Sequence, residues 1–113
     1  MEELWKLERD FWLLGAEHFT RALDPNCLMA LPSPAGIMAY RSIIESLGSA
    51  PRWSNVSMSG KTSTSPADGL AILAYEVTAR RSDLAPYTAI CLSTYRHDGA
   101  RWLMTSHQQT PAS

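Results

Sequence analysis

Two side chains in the second half of the chain have the chemistry of a general base. Glu76 lies between Tyr75 and Val77, and a carboxylate that faces an apolar pocket has a raised pKa and can accept a proton. The alternative is that Glu76 points to solvent or to a partner subunit, as charged strand residues usually do. His107 is the second candidate. The catalytic residues stay unknown from sequence, with these two as candidates.

The histidines and cysteines do not have the spacing of a metal site or a redox motif. His18, His97 and His107 lack the short separations that bring two ligands together. Cys27 and Cys91 are too far apart for a CxxC motif, and a buried cysteine usually behaves as a small apolar residue. A glycine-rich phosphate loop is also missing from the sequence. We therefore expect no metal and no cofactor, and two reduced cysteines.

Length and charge narrow the class of protein. The 113 residues are 45% hydrophobic, which predicts one domain over residues 1–113 with a sizeable core. Ten basic and eleven acidic residues leave a net charge of -1, so we expect no nucleic-acid partner. No run approaches the roughly 18 apolar residues that span a bilayer, and the first residues are acidic and amphipathic. These features predict a cytoplasmic protein without a membrane segment.

The first half of the chain has helical periodicity. Leu4, Leu7, Phe11 and Leu14 form one apolar stripe, and the bulky residues that widen it are Trp5, Trp12 and Phe19. Gly15 interrupts the pattern, so "LLGAEHF" predicts a bend between a long helix and a short one.

A strand and a further helix are predicted next. The apolar run "CLMAL", residues 27–31, is bounded by turn residues and predicts a buried strand. Ser33 before Pro34 resembles a helix cap with a first-turn proline. The residues that then recur at helical spacing are Ile37, Tyr40, Ile44 and Leu47, until Gly48 ends the pattern.

After Pro51 the apolar period becomes two, which is typical of strands. Strands are predicted for "WSNVSMSGK", "LAILAYEVTAR", "YTAICLSTYR" and "RWLMTSHQQ". The segment "GKTSTSPADG" is rich in Ser, Thr and Gly and is predicted to be a mobile connection. The second half of the chain therefore predicts a sheet.

The last two strands are predicted to form a hairpin around Asp98-Gly99, a typical two-residue turn. The register pairs His97 with Ala100, Tyr95 with Trp102, Ser93 with Met104 and Cys91 with Ser106. It places His107 on the face opposite Ser93, so Ser93 is interpreted as a pocket hydroxyl and not a nucleophile. It also places Arg96 opposite Arg101, an unfavourable pair, so a slightly longer loop remains possible.

The order of these elements resembles the NTF2-like superfamily, in particular its DUF4440 and SnoaL-like branches. The stretches that carry the resemblance are "LLGAEHF", "CLMALP", "WSNV", "AILAYEVTAR" and "YRHDGARWLMTSHQQTP". The resemblance implies an α+β, cystatin-like cone in which N-terminal helices pack on a curved antiparallel sheet. It also implies an apolar pocket between helices and sheet, and a homodimer formed through the outer face of the sheet.

The ketosteroid isomerases of this fold use an Asp base and an oxyanion hole made by an Asp and a Tyr. By resemblance, the position of the base falls on Leu31, that of the oxyanion Asp on Ser93, and that of the Tyr near Glu8. None of the three family residues is kept. The resemblance therefore does not imply isomerase chemistry by that route.

In a cone of this kind the core and the pocket wall are continuous. The residues expected to line the pocket are Phe11, Met29, Leu31, Cys91, Ser93, Tyr95, Trp102, Met104 and Ser106. Aromatic stripes are more often packing than ligand contacts, and both roles are compatible here. Such a wall, apolar with a few hydroxyls, suits a flat or aliphatic small molecule.

Three functional hypotheses remain. The first is a dimeric NTF2-like domain of uncharacterised function that binds a small apolar molecule or a protein partner. The second is a cofactor-independent isomerase, cyclase or dehydratase similar to SnoaL-like enzymes, with Glu76 or His107 as base. The third is a subunit that only assembles with others through an exposed apolar face carrying Ile90, Leu92 and Leu103.

Overall fold

Three helices and a six-stranded sheet make up residues 1–49, 51–82 and 84–112, which the computed structural model describes. The helices are α1 (Glu2–Leu13), α2 (Ala16–Ala22) and α3 (Tyr40–Ser46), and the strands are β1 (Leu23–Ala30), β2 (Ile37–Ala39), β3 (Asn55–Ala67), β4 (Leu70–Arg80), β5 (Tyr87–His97) and β6 (Trp102–Pro111). Their order in the sheet is β2-β1-β6-β5-β4-β3. Neighbouring strands are antiparallel except β1 and β6, which are parallel. The predicted α+β class, with N-terminal helices packed on one face of a curved sheet, is confirmed.

The first helix has the predicted apolar stripe, with a carboxylate inside it. The residues that α1 buries are Leu4, Glu8, Phe11 and Trp12. Glu8 lies one turn after Leu4 and one turn before Phe11, so all three share a face. Leu14, predicted to continue the stripe, is 45% exposed because the helix has already ended. The predicted break at Gly15 separates α1 from α2.

The helix predicted from Ser33 begins only at Tyr40, so that prediction was wrong in its first turn. Gly36 has a φ of +67°, in the left-handed region that favours glycine, and the backbone N–H of Leu31 donates to its carbonyl at 2.9 Å. This turn directs the chain back along β1, where it forms β2. Ile37, predicted on the buried face of a helix, is 85% exposed.

The Ser- and Thr-rich segment at residues 60–69 was predicted to be a mobile connection, and this prediction was wrong for most of its length. Residues 60–67 continue β3, which pairs with β4 down to Ala67 opposite Leu70. β3 lies at the edge of the sheet and most of its side chains are exposed, so its polar composition reflects solvent contact on both faces. Threonine also has a high intrinsic preference for strands.

The hairpin between β5 and β6 has a longer loop than the predicted two-residue turn. His97 pairs with Trp102, so residues 98–101 form the loop. In this register Arg96 lies opposite Leu103, and the unfavourable pairing of two arginines does not occur. The predicted two-residue turn was therefore wrong, and the longer loop suggested by the unfavourable pairing of Arg96 with Arg101 is the one that forms.

A bulge further along the same hairpin changes which side chains share a face. Across the register shift the pairs are Tyr95 with Met104, Thr94 with Ser106 and Ser93 with His107. An extra residue in β6 inverts the alternation beyond this point. His107 therefore lies on the same face as Ser93, and Ser106 lies on the opposite, outer face, which corrects both predictions.

β1 begins at Leu23, four residues before the predicted start at Cys27. The added segment includes Asp24, which is 2% exposed and accepts a hydrogen bond from Arg96 Nε at 2.5 Å. This hydrogen bond lowers the pKa of Asp24 and outweighs the opposing effect of burial. The ion pair connects the first strand to β5 across β6.

The core lies between the helices and the inner face of the sheet, in two clusters of buried apolar residues. The larger joins α1, α2, α3 and β1 to the sheet and contains Leu4, Phe11, Phe19, Ala22, Leu23, Cys27, Met29, Ile43, Ala71, Leu73, Tyr95 and Met104. The smaller contains Trp12, Val56, Tyr75, Val77, Ala79, Ala89 and Cys91. Within the described part of the chain, none of the helices is long and apolar enough to cross a membrane.

Candidate functional site

A fully buried carboxylate, that of Glu8, lies between α1 and the inner face of the sheet. Its Oε2 atom accepts hydrogen bonds from Tyr75 at 2.5 Å and from Ser93 at 2.7 Å. Its Oε1 atom accepts one from Tyr95 at 2.7 Å. Burying a carboxylate is costly unless such donors replace water, so one helix and two adjacent strands combine to hold this charge.

The environment of Glu8 favours its ionised form. Burial by itself raises the pKa of the carboxyl and is the largest single effect, but the hydrogen bond from His107, the charge that this ring carries when it is protonated, and the hydrogen bonds from Tyr75 and Tyr95 together lower it by more. The pKa of Glu8 therefore lies below its ordinary value of 4.5. We conclude that Glu8 is a charged acceptor and not a neutral acid.

A chain of hydrogen bonds connects Glu8 to the neighbouring strands. Ser93 Oγ lies 2.6 Å from His107 Nδ1, and His107 Nε2 lies 3.0 Å from Gln109 Nε2. Tyr87 donates to Gln109 Oε1 at 3.0 Å. This network could not be predicted from the sequence, because Glu8 and Tyr87 are far apart in the chain and the bulge reverses the face on which His107 lies.

The directions of these hydrogen bonds indicate which ring nitrogen of His107 carries the proton. Since the Gln109 amide nitrogen can only donate, His107 Nε2 is the acceptor and the ring proton is on Nδ1. That proton points toward Ser93 and Glu8, whose Oε2 is 3.4 Å from Nδ1. His107 thus presents a basic lone pair at Nε2, and a carboxylate lies behind the ring to stabilise the imidazolium that would form on protonation.

Trp12 fixes a second side of the network. Its Nε1 donates to Tyr75 Oη at 2.9 Å, while Tyr75 donates to Glu8. Burial and the nearby carboxylate both raise the pKa of Tyr75, so its hydroxyl stays protonated and acts as a donor. The Trp12 ring also contacts His107 edge-on, with centroids 6.2 Å apart. Trp12 therefore limits rotation of both the phenol and the imidazole.

A cavity of about 540 Å³ lies beside this network. Its apolar wall is formed mainly by Phe11, Phe19, Met29, Leu31, Met38, Ile43, Leu47 and Met104. Its polar and aromatic wall is formed mainly by Trp12, Arg52, Trp53, Arg81, Tyr87, His107 and Gln109. The exposed residues Pro34 and Ala35 also contact it, so the cavity opens to solvent at the loop before β2. Its volume is within the range of small-molecule pockets.

The structure separates the predicted pocket residues into three groups. Those that line the cavity are Phe11, Met29, Leu31 and Met104. Ser93 and Tyr95 bind Glu8, and Cys91 packs in the smaller core cluster. Trp102 is half-buried against the larger cluster and Ser106 lies on the outer face. His107, predicted at an outer surface, is 7% exposed and lines the cavity.

Glu76, the other candidate base, lies on the outer face of the sheet. Its neighbours Tyr75 and Val77 are buried and Glu76 is exposed, as the alternation of a strand requires. It pairs with Ile90 on β5, which is also exposed. The carboxylate of Glu76 therefore points away from the cavity.

The two cysteines are buried and free. Burial, the largest effect, raises the pKa of both Cys27 and Cys91 to about 12. The thiolate is the nucleophilic form, so neither side chain is activated for nucleophilic attack.

The Glu8→Gln variant should lose roughly 2 to 4 kcal/mol of stability at neutral pH, because an amide replaces a charged acceptor of three hydroxyl donors. The pKa of Glu8 is lower in the folded chain than in the unfolded chain. Its charge therefore stabilises the fold above about pH 4.5, and this contribution is lost as the pH falls through the folded value. Urea unfolding at several pH values should show the difference between the two proteins shrinking in acid.

Glu76→Gln is the matched control, since it removes the same charge from an exposed position. It should change the stability by no more than about 0.5 kcal/mol. Equal losses in both variants, or a Glu8→Gln deficit that is independent of pH, would contradict a buried charge at Glu8.

No family model and no curated protein matches the sequence, but solved structures match it over nearly its whole length. A candidate ketosteroid isomerase from Parabacteroides distasonis has a TM-score of 0.81 at 15% identity, covering 97% of this chain and 86% of that one. An NTF2-like protein of unknown function in nutrient uptake from Rhodospirillum rubrum has a TM-score of 0.80 at 10% identity, covering 96% and 94%. The association domain of CaMKII from C. elegans has a TM-score of 0.79 at 13% identity, covering 96% and 90%. At these identities the likeness establishes the architecture and not an activity: the chain has the NTF2-like, or cystatin-like, fold.

Proposed function

We propose that residues 1–113 form a single NTF2-like domain that binds a small, mostly apolar molecule in the cavity between helices and sheet. The observation that carries this proposal is the cavity of about 540 Å³, which is lined by many apolar side chains together with a smaller number of hydrogen-bonding groups. The motifs of the sequence favour the DUF4440 and SnoaL-like branches of the superfamily. The two free cysteines favour a cytoplasmic location.

The apolar side chains and the hydrogen-bonding groups of the cavity contribute to ligand binding in different ways. Each methylene group that a ligand buries against side chains such as Met29, Ile43 and Met104 contributes about 0.8 kcal/mol. The hydrogen-bonding groups of the lining are fewer and include His107, Gln109 and two arginines, and such groups fix orientation and specificity. The proposed ligand is therefore a molecule with an apolar body and few polar atoms.

Binding can be tested with 4-phenyl-1-butanol, a neutral probe with an aromatic and an aliphatic part, by calorimetric titration. The native protein should bind it with saturable heat. Met38→Trp should weaken binding at least about tenfold, because the larger ring occupies part of the cavity that Met38 lines. Met38 is only partly buried, so the variant can retain its fold.

Ile37→Trp is the matched control, because it adds the same ring at the next residue, where the side chain is 85% exposed. It should bind the probe as the native protein does. Absence of binding to the native protein, or equal binding by Met38→Trp and Ile37→Trp, would contradict the proposal.

A second candidate function is acid–base catalysis without a cofactor, as in SnoaL-like enzymes, and the observation that favours it is the orientation of His107. The imidazole lines the cavity, its Nδ1 proton faces Ser93 and Glu8, and Nε2 carries the lone pair. Because the Gln109 N–H occupies the Nε2 lone pair, this amide must first turn away; Nε2 can then take the proton from the substrate, and the amide oxygen can accept the hydrogen bond from the resulting N–H. Glu8 would stabilise the resulting imidazolium.

The exchange of α-hydrogens of 4-phenyl-2-butanone for deuterium tests this function without knowledge of the substrate. The ketone has the size of the neutral probe, and proton NMR in D₂O measures loss of its α-hydrogen signals. The native protein should accelerate exchange, and His107→Asn should lose about 100-fold or more of that acceleration. His97→Asn, which changes an exposed histidine, should keep it. Exchange no faster than in buffer, or unchanged by His107→Asn, would exclude His107 as the base for this class.

We also propose that the domain forms a homodimer through the outer face of the sheet. Leu28, Ile90 and Leu92 lie on this face and are 58%, 54% and 45% exposed. Leu103, predicted to lie with them, is buried at 4%. A group of apolar side chains exposed on one face of a sheet is typical of an interaction surface, and one structural relative is itself an association domain.

Native mass spectrometry should record two subunits for the native chain and one for Leu92→Glu, since a charge at a dimer interface is unfavourable when it has no partner. Leu84→Glu is the control, because Leu84 is 66% exposed outside the strands and should leave the subunit number unchanged. A monomeric native chain over the micromolar range, or identical behaviour of the two variants, would disprove this interface.

A further inference from the structure

Two guanidinium groups line the cavity, those of Arg52 and Arg81. Among the residues that the structure describes, none of those lining the cavity carries a carboxylate. The cavity wall therefore has at least two positive charges that its own side chains do not neutralise.

Arg52 is fixed in place by the carboxyl end of α1. Its Nε donates to the carbonyl of Leu14 at 2.9 Å, and its Nη2 donates to the carbonyls of Trp12, at 3.0 Å, and Phe11. Among the residues that the structure describes, Arg52 bonds through Nε and Nη2 only, which leaves Nη1 as a donor for another molecule. Burial lowers the pKa of Arg52, and the positive charge of Arg81, which lines the same cavity, lowers it further.

Arg81 is positioned by aromatic stacking. Its guanidinium carbon lies 4.0 Å from the centroid of the Trp53 ring, and Trp53 is stacked against Tyr87 with centroids 5.6 Å apart. Its Nε is buried, and the described residues offer it no acceptor. A donor in that position is stabilised by a hydrogen-bonding partner.

From this pair of arginines we infer that the ligand of the cavity is an amphipathic carboxylate. Its anionic group lies at Arg52 and Arg81, and its apolar body lies against the apolar side chains of the cavity. The inference rests on the proposed binding function and specifies its ligand class. A carboxylate offers two acceptor oxygens to the two guanidinium groups and reduces the repulsion between them. The apolar part then reaches residues such as Met29 and Met104.

Matched probes test the charge without changing the apolar body. Calorimetry at pH 7 compares 4-phenylbutanoate, which is ionised at this pH, with 4-phenyl-1-butanol, which is neutral. The acid should bind at least about tenfold more tightly than the alcohol at low ionic strength. High salt should reduce this advantage, because it screens the attraction between the carboxylate and the two arginines.

Arg81→Gln should reduce the advantage of the acid, measured as the ratio of its affinity to that of the alcohol in the same variant, to about threefold or less. Arg80→Gln is the matched control, because it removes the same charge from the adjacent residue, whose side chain is exposed at the end of β4. Arg80→Gln should keep the full preference. Arg52 is not a suitable site for this test, since its bonds to α1 also stabilise the fold.

The possible outcomes separate this inference from the proposed function. Tighter binding of the acid, lost in Arg81→Gln and kept in Arg80→Gln, supports it. Equal binding of acid and alcohol by the native protein overturns it and leaves the binding function in place, whereas binding of neither probe overturns both. A preference for the acid that is equal in the two variants and insensitive to salt overturns the role of the arginine pair.

Discussion

The burial of one charge, the Glu8 carboxylate, is the constraint on which the rest of the site depends. An unpaired carboxylate in a protein interior is too costly to persist, so its donors must be supplied in the folded chain. They come from β4 and β5, through Tyr75, Tyr95 and Ser93. A helix that slid or rotated over the sheet would lose all three bonds together, and Glu8 therefore fixes the position of α1 relative to the strands.

The bulge in the last hairpin places His107 between this buried charge and the cavity. Without the extra residue, β6 would present Ser106 to the interior, and the imidazole of His107 would face outward. With it, His107 pairs with Ser93 and lines the cavity. One inserted residue thus connects a structural carboxylate to a group that can hold a proton, which is a common use of bulges near functional sites.

The cavity combines three environments that are contributed by different parts of the chain. The apolar wall comes from the helices, β1 and β6, the hydrogen-bonding wall from β5 and β6, and the cations from the segments next to β3 and β4. Proteins that share a fold can have many different functions, so the fold alone does not identify the function. The arrangement of charge and apolar surface in this particular cavity is what narrows the class of molecule that fits it.

The sequence by itself determined the features that depend on neighbours along the chain. The spacing of Leu4 and Phe11 was sufficient for the first helix, and Gly15 for its end, because helical periodicity is a local property. The alternation around Tyr75 likewise placed β4 in a sheet. An acidic residue on the apolar stripe, Glu8, was the one available signal for the buried network. The order of elements was also enough to identify the cone.

Only the tertiary structure decided the features that depend on distant pairing. The second part of the edge strand β3, residues 60–67, has no apolar signal of its own and is held by backbone bonds to β4. The register of β6, and with it the face of His107, depends on a bulge that sequence alternation does not reveal. The meeting of Arg52 with Arg81 at one cavity requires the folded sheet. Local patterns specify which elements form, but a site is made of contacts between elements, and these are set by the packing of the whole chain.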